Sequence, residues 1–198
     1  MKLIKAILTA LKKPSTRFSL GGLLSIGILV GIMFTGAASV VLDSTNTLEF
    51  CISCHEMRDT VYEEYKESIH YTNPSGVRAE CPDCHVPKDF GRKMLAKVMA
   101  AKDIWHTLIG TVDTPEKFEK KRWLMANRVW SIMEATDSST CRSCHTFDSM
   151  DLQEQPKLAR RKHKRAMDNK KTCIKCHKGV AHDEPDEPDE GAVQGDAS

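Results

Sequence analysis

The sequence predicts a mainly α-helical chain with much irregular structure. One N-terminal transmembrane helix is followed by a compact domain whose core side chains alone do not build. Three observations predict this. Residues 18–42 form a run of 25 uncharged residues. All eight cysteines fall in four copies of Cys-x-x-Cys-His. No interior stretch alternates apolar and polar residues over a strand's length, whereas several repeat apolar residues at helical spacing.

The uncharged run comes first. A helix rises ~1.5 Å per residue and the hydrocarbon core is ~30 Å thick, so about 20 residues span it. Inside lipid the backbone must satisfy its own hydrogen bonds, which makes the segment a helix. A cleaved signal peptide is the rival reading, but its apolar region is typically only ~7–15 residues. Lys2, Lys5, Lys12, Lys13 and Arg17 precede the run and Asp43 follows it. The positive-inside rule then puts residues 1–17 in the cytoplasm and everything after Asp43 outside. Gly27-x-x-x-Gly31 is a weak small-residue signal for a homodimer, and more often just a pair of lipid-tolerated glycines.

Helical spacing recurs in the domain over 43–182. Val61, Tyr62, Tyr65 and Ile69 follow the first cysteine motif. Leu95, Val98, Met99, Trp105, Leu108 and Ile109 form an apolar stripe between Arg92 and Ile109. Thr114-Pro115-Glu116 reads as a helix start, with Thr114 as N-cap and Pro115 first, and this helix runs to about Ala135. Asn73-Pro74-Ser75-Gly76 reads as a turn. The tail over 183–198 is acidic, contains proline and lacks aromatics, which predicts disorder.

With 29 Lys plus Arg against 27 Asp plus Glu, the net charge of +2 excludes an electrostatic nucleic-acid binder. The domain has only about 39 residues for each cysteine motif. That is too little chain to build an ordinary apolar core around each one, so something else fills the interior.

The motifs say what fills it. They are Cys51, Cys54 and His55; Cys81, Cys84 and His85; Cys141, Cys144 and His145; and Cys173, Cys176 and His177. Cys-x-x-Cys-His reads as c-type haem attachment. Two thiols add to the two vinyl groups, and the adjacent histidine sits under the iron as axial ligand. Four motifs imply four covalently bound haem c groups and a haem-packed domain of the multihaem cytochrome c kind. Zinc is the rival cofactor, but zinc sites need paired Cys-x-x-Cys units or separated histidine pairs. Haem c is attached outside the cytoplasm, in agreement with the predicted topology.

Four more histidines lie outside the motifs: His70, His106, His163 and His182. Each iron has a second axial position, and a second neutral imidazole there gives a low-spin iron suited to electron transfer. His182 is five residues beyond His177, too near to bridge its own haem, so it serves another. The first motif continues Cys54-His55-Glu56-Met57. Met57 either ligates the same iron, which raises its potential, or fills a gap in the packing.

A basic N-terminus, one transmembrane helix and these four motifs resemble the NapC/NirT/NrfH family of membrane-anchored tetrahaem cytochromes c. The likeness runs from about Phe18 to His182, and is most specific at Phe50–His55 and Thr172–His182. It implies a quinol dehydrogenase that oxidises membrane quinol, menaquinol or ubiquinol, and passes electrons to a periplasmic reductase. The nearest-looking branch serves periplasmic nitrate reductase or its cytochrome subunit. It further implies distal ligation by His70, His163 and His182, at haems four, three and two. Haem one is the quinol-facing haem, ligated by Met57 as in the nitrite-reductase branch or by His55. The role of His106 stays open.

Quinol oxidation releases two electrons and two protons, whereas a haem accepts one electron. The site therefore lies at the membrane surface, and Cys51 is nine residues past Leu42. The resemblance assigns Asp103 as proton acceptor and Lys97 as hydrogen-bond partner of a quinol oxygen. On a regular helix the two point about 120° apart, so without the resemblance both read as solvated charges. Rival functions are a passive electron-transfer cytochrome and a quinol dehydrogenase for nitrite or another anaerobic acceptor. Haem delivery is excluded by covalent attachment.

Overall fold

The computed structural model describes residues 2–11 and 19–187, all in helices, turns and loops, with no strand among them. The chain divides into two units, 1–45 and 46–198.

The first unit holds α1 (Lys2–Leu11) and α2 (Leu20–Ser44). The uncharged run was expected to be helical over 18–42, and α2 lies two residues later at both ends. Ser19 is its N-cap, the hydroxyl oxygen accepting from the Gly22 N–H at 3.1 Å. Thr45 closes the last turn by donating from its N–H and its hydroxyl to the Val41 carbonyl, at 3.1 and 2.8 Å. Thr35 and Ser39 donate back to the Gly31 and Thr35 carbonyls, so these two hydroxyls are satisfied within the helix. Among the described residues, Gly21–Ser44 is the one helix long and apolar enough to cross a membrane. Lys12, Lys13 and Arg17 lie outside the described residues.

The second unit contains α3 (Leu48–Cys51), α4 (His55–Arg58), α5 (Val61–Glu67), α6 (Cys81–His85), α7 (Phe90–Leu108), α8 (Pro115–Ala135), α9 (Ser139–Arg142) and α10 (Lys157–Asp168). Helix α8 starts and stops where the sequence predicts, with Thr114 Oγ1 accepting from the Lys117 N–H at 3.3 Å. Helix α7 is capped by Asp89 and ends at Gly110, whose φ of +72° suits glycine in the left-handed region. Helix α5 stops at Glu67, so Ile69 falls outside it and is exposed.

Side-chain packing in this unit is sparse. Among the described residues, only Leu48, Tyr65, Phe118 and Ile174 are buried hydrophobics. The stripe on α7 does not enter a side-chain core: Leu95, Val98, Trp105 and Leu108 are exposed. Asp183, the first residue of the expected tail, is tied to the domain. The Asp183 N–H donates to Glu64 Oε2 at 2.8 Å, and its carbonyl accepts from Arg122 Nη2 at 2.9 Å. Residues 188–198 of that tail lie outside the described residues.

Candidate functional site

Three of the four motifs are built on one helical turn. The second is α6, begun by Glu80, whose N–H donates to Asp83 Oδ2 at 2.9 Å. In the third and fourth, the His145 and His177 N–H groups donate to the Cys141 and Cys173 carbonyls at 2.9 and 3.0 Å. That turn places two thiols and an imidazole on one short stretch of backbone. The first motif differs. Cys51 ends α3, Cys54 is extended at ψ 133°, and His55 opens a new helix, α4.

The motifs are neighbours in chain order. Cys51 and Cys81 share a hydrogen bond between thiols, so the first two titrate as a pair. The bond and the Lys97 charge, acting against burial, hold Cys51 down at about 7, while Cys81 is pushed up. Cys84 is raised to about 11 by burial, with the thiols of Cys141 and Cys144 adding to the effect. Cys141 is raised by burial and by Cys173. Ser138 Oγ accepts from the Ile174 N–H at 3.2 Å, tying the third motif to the fourth.

The extra histidines face motif histidines. Ring centroids lie 6.2 Å apart for His85 and His182, 6.2 Å for His70 and His145, and 5.9 Å for His163 and His177. Two imidazoles bonded to one iron at about 2 Å each put their centroids about 6 Å apart, so all three spacings fit an iron between the rings. In each distal ring Nδ1 is already engaged: His182 with the Val61 carbonyl at 3.1 Å, His70 with the Val180 carbonyl at 3.3 Å, and His163 with Gln155 Oε1 at 2.6 Å. An Nδ1–H donating to these oxygens leaves the Nε2 lone pair to face a metal, the usual outer support of a ligating histidine.

His85 is exposed as a residue, yet the protein packed around it and the nearby His182 push it down to about 4. Burial lowers His182 as well. Both imidazoles are therefore neutral at neutral pH, the state a metal ligand needs. Among the described residues no three or more His, Cys, Asp or Glu side chains gather to hold a bare ion. Two imidazoles suffice for haem, whose ring supplies the equatorial ligands, but not for structural zinc.

The ring pairs run in a different order from the one the resemblance implied. The resemblance implied His70 at haem four and His163 at haem three. The structure instead places His70 against His145 of the third motif and His163 against His177 of the fourth. The reason is chain length. Four residues separate α10 from Cys173, and a left-handed turn at Lys170 (φ 49°) folds the helix back onto the motif that follows it. His70 sits in a loop doubled on itself by the Ala79 N–H, which donates to the His70 carbonyl at 3.1 Å.

No second imidazole pairs with His55 in this way. Its Nε2 lies 3.6 Å from Glu56 Oε1. Glu56 is buried, and neither carboxylate oxygen accepts a hydrogen bond among the described residues. Met57 borders on exposed, two residues from His55. His106 faces Thr111, with Nδ1 3.4 Å from Oγ1.

Of the two predicted quinol-site residues, Lys97 reaches the first motif. Its Nζ lies 6.0 Å from the centroid of the Phe50 ring, and its charge acts on Cys51. Burial lowers its pKa. Asp103 is 70% exposed, with Arg128 Nη1 at 3.9 Å as its charged neighbour. Sequence reasoning missed Asp113, close enough to His55 to feel its charge, and the Glu64–Arg122 pair beside Asp183. No local pattern marks either, because both depend on contacts between distant segments.

Comparison with known proteins agrees with this geometry. Residues 13–187 match the NapC/NirT cytochrome c family, N-terminal region. The chain is 54% identical over 180 residues to the denitrification system component NirT of Stutzerimonas stutzeri, covering 91% of this chain and 90% of that one. It is 49% identical to the cytochrome c-type protein NapC of Escherichia coli K12, over 93% of this chain and 92% of that one. It is 47% identical to the cytochrome c-type protein TorC of the same organism, over 92% of this chain and 47% of that one. No solved structure matches. A chain matched over nearly its whole length, with four haem-attachment motifs, belongs to the NapC/NirT family of tetrahaem cytochromes c.

Proposed function

We propose that this protein is a single-pass quinol dehydrogenase of the bacterial inner membrane. Residues 1–17 face the cytoplasm and the domain from Asp43 onward stands in the periplasm. Membrane quinol, menaquinol or ubiquinol, is the substrate beside the first motif, and the four haems that the motifs would hold covalently would supply the one-electron path to a periplasmic reductase. Nitrate reductase is the first choice of acceptor, and the NirT relative makes a nitrite-reducing system the alternative. Haem supplies reversible one-electron chemistry when bound.

The chain's own residues do the rest. The eight motif cysteines attach the groups. His85, His145 and His177 provide proximal imidazoles, and His182, His70 and His163 provide the opposing ones. Val61, Val180 and Gln155 fix the tautomers by accepting from Nδ1–H. The observation that carries the quinol reading is the singular first motif. Its backbone breaks between Cys51 and His55, it has no opposing imidazole, and Lys97 stands beside it. Met57 or His55 would hold the iron of the haem attached there. The outward apolar side chains of α7 suit a substrate with a hydrocarbon tail. Lys97 donates to a quinol oxygen, and Asp103 or a neighbouring carboxylate takes the proton.

The test is reduction of the purified full-length protein by quinol alone. Reduction of all four haems supports the reading. A protein that dithionite reduces and quinol does not is a passive carrier.

A further inference from the structure

Between Lys157 and Lys178 the chain carries ten Lys and Arg residues and one acid, Asp168. Eight of the ten are exposed. None makes an ion pair among the described residues: Arg160 bonds Gln153 and Gln155, and Lys178 lies 4.1 Å from the centroid of the Trp130 ring. Helix α10 turns ~100° per residue, so Lys157, Arg161 and Lys164 share one face, well away from His163. His163 meanwhile packs against His177. A positively charged helix thus packs its His163 against the fourth motif, while Lys157, Arg161 and Lys164 stay exposed.

The rest of the domain is charged the other way. Residues 43–67, which follow the membrane helix and contain the first motif, hold seven acids and two bases. The motifs follow one another in space: α3 of the first meets α6 of the second, α6 meets α9 of the third, and the fourth is tied to the third by the Ile174 N–H on Ser138 Oγ. The positive face therefore sits at the far end of that series from the segment joined to the anchor. A face for anionic lipid would belong at the anchored end, which is acidic. We infer that the outer face of α10, with Lys157, Arg161 and Lys164, is the docking surface for an acidic redox protein that approaches the fourth motif.

Such a partner needs fast, short-lived association, and complementary charge supplies on-rate and orientation without a large buried area. Lys175 lies inside the fourth motif, between Cys173 and Cys176, and is exposed, so a partner seated on this charge comes close to the group the motif would hold. This inference rests on the electron-transfer reading and names the chemistry of its acceptor.

The test measures binding of the full-length, haem-loaded protein in nanodiscs of neutral lipid. Soluble cytochrome b5 serves as the acidic probe and mitochondrial cytochrome c as the basic control. The triple variant Lys157→Glu, Arg161→Glu, Lys164→Glu is compared with a triple reversal at Lys66, Lys88 and Lys120, which changes net charge equally elsewhere. The glutamine triple at the α10 positions stands in if the reversal disturbs folding, judged by the haem spectrum. The α10 variant should weaken binding of the acidic probe about tenfold or more, and the control reversal much less. Binding of wild type to the acidic probe should also fall steeply as salt shortens the ~10 Å screening length. Equal loss in both triples, preference for the basic control, or binding only to phosphatidylglycerol vesicles overturns the inference. Because no quinol is used, failure of quinol oxidation is a separate result.

Discussion

Arg122 on α8 holds both carboxylate oxygens of Glu64 on α5, Nη1 to Oε1 at 2.6 Å and Nη2 to Oε2. Both side chains are mostly buried. The same two groups grip the backbone of Asp183, one residue past His182. His182 in turn is fixed to Val61, three residues before Glu64. One fork-to-carboxylate contact thus sets where the end of the domain lies, and so where the His182 ring faces His85.

The first prediction follows from that contact. Arg122→Ala should free the segment at Asp183 and let the His182 ring leave. One low-spin haem of the four should become high-spin while all four stay attached. Added imidazole should restore it. Loss of hydrogen bonds to a charged group costs about 1.5–3 kcal/mol each. Arg122→Lys should rescue only in part, since an ammonium cannot make the paired contact. Electron paramagnetic resonance of the oxidised protein reads the result, and His182→Ala is the reference. An unchanged spectrum for Arg122→Ala, with a changed one for His182→Ala, removes the clamp and keeps the ligand.

The same pair predicts an acid limit. Burial by itself raises Glu64, but bonds from Arg122 and the Asp183 N–H, with the Arg122 charge, outweigh it and leave the carboxyl below its usual range. A depressed folded pKa means the stabilisation is complete above the unfolded value, about 4.3. It is lost as pH falls through the folded value. Wild type should therefore lose stability as pH drops below about 4, and Glu64→Gln should lose less over that range. Thermal unfolding against pH measures the difference.

The histidine pairing is testable by coupling. In a variant lacking Cys141 and Cys144, His70→Ala should remove no further low-spin signal, whereas His163→Ala should. In a variant lacking Cys173 and Cys176 the two should exchange roles. Non-additivity of this kind marks residues that serve one group. The reverse pattern would restore the order that family resemblance implied.

Lys97→Ala should slow quinol-driven reduction by ~10²-fold or more, with dithionite reduction unchanged. Asp103→Asn separates two proton routes. A comparable loss makes the exposed carboxylate the acceptor, and a near-normal rate moves the role to Asp113 or Glu56. Stopped-flow absorbance of the haems gives both rates.

Much of this protein was legible along the chain. Residues 18–42 are too long and too free of charge to be anything but a membrane-length helix, which the structure places at Leu20–Ser44. Cys-x-x-Cys-His is a local chemical unit, so four copies specify four attachment points without any tertiary information. Thr114-Pro115 starts α8 because capping is settled within one turn. What the sequence could not decide is which distant groups meet. His70 and His145 are 75 positions apart, and His85 and His182 are 97 apart, so only the folded path determines which imidazole opposes which. The Glu64–Arg122 contact, the loop that turns His70 towards the third motif and the short link that folds His163 onto the fourth are all tertiary. Spacing along a chain encodes groups that act within one turn, whereas a pair across an iron depends on chain closure, and no local pattern records that.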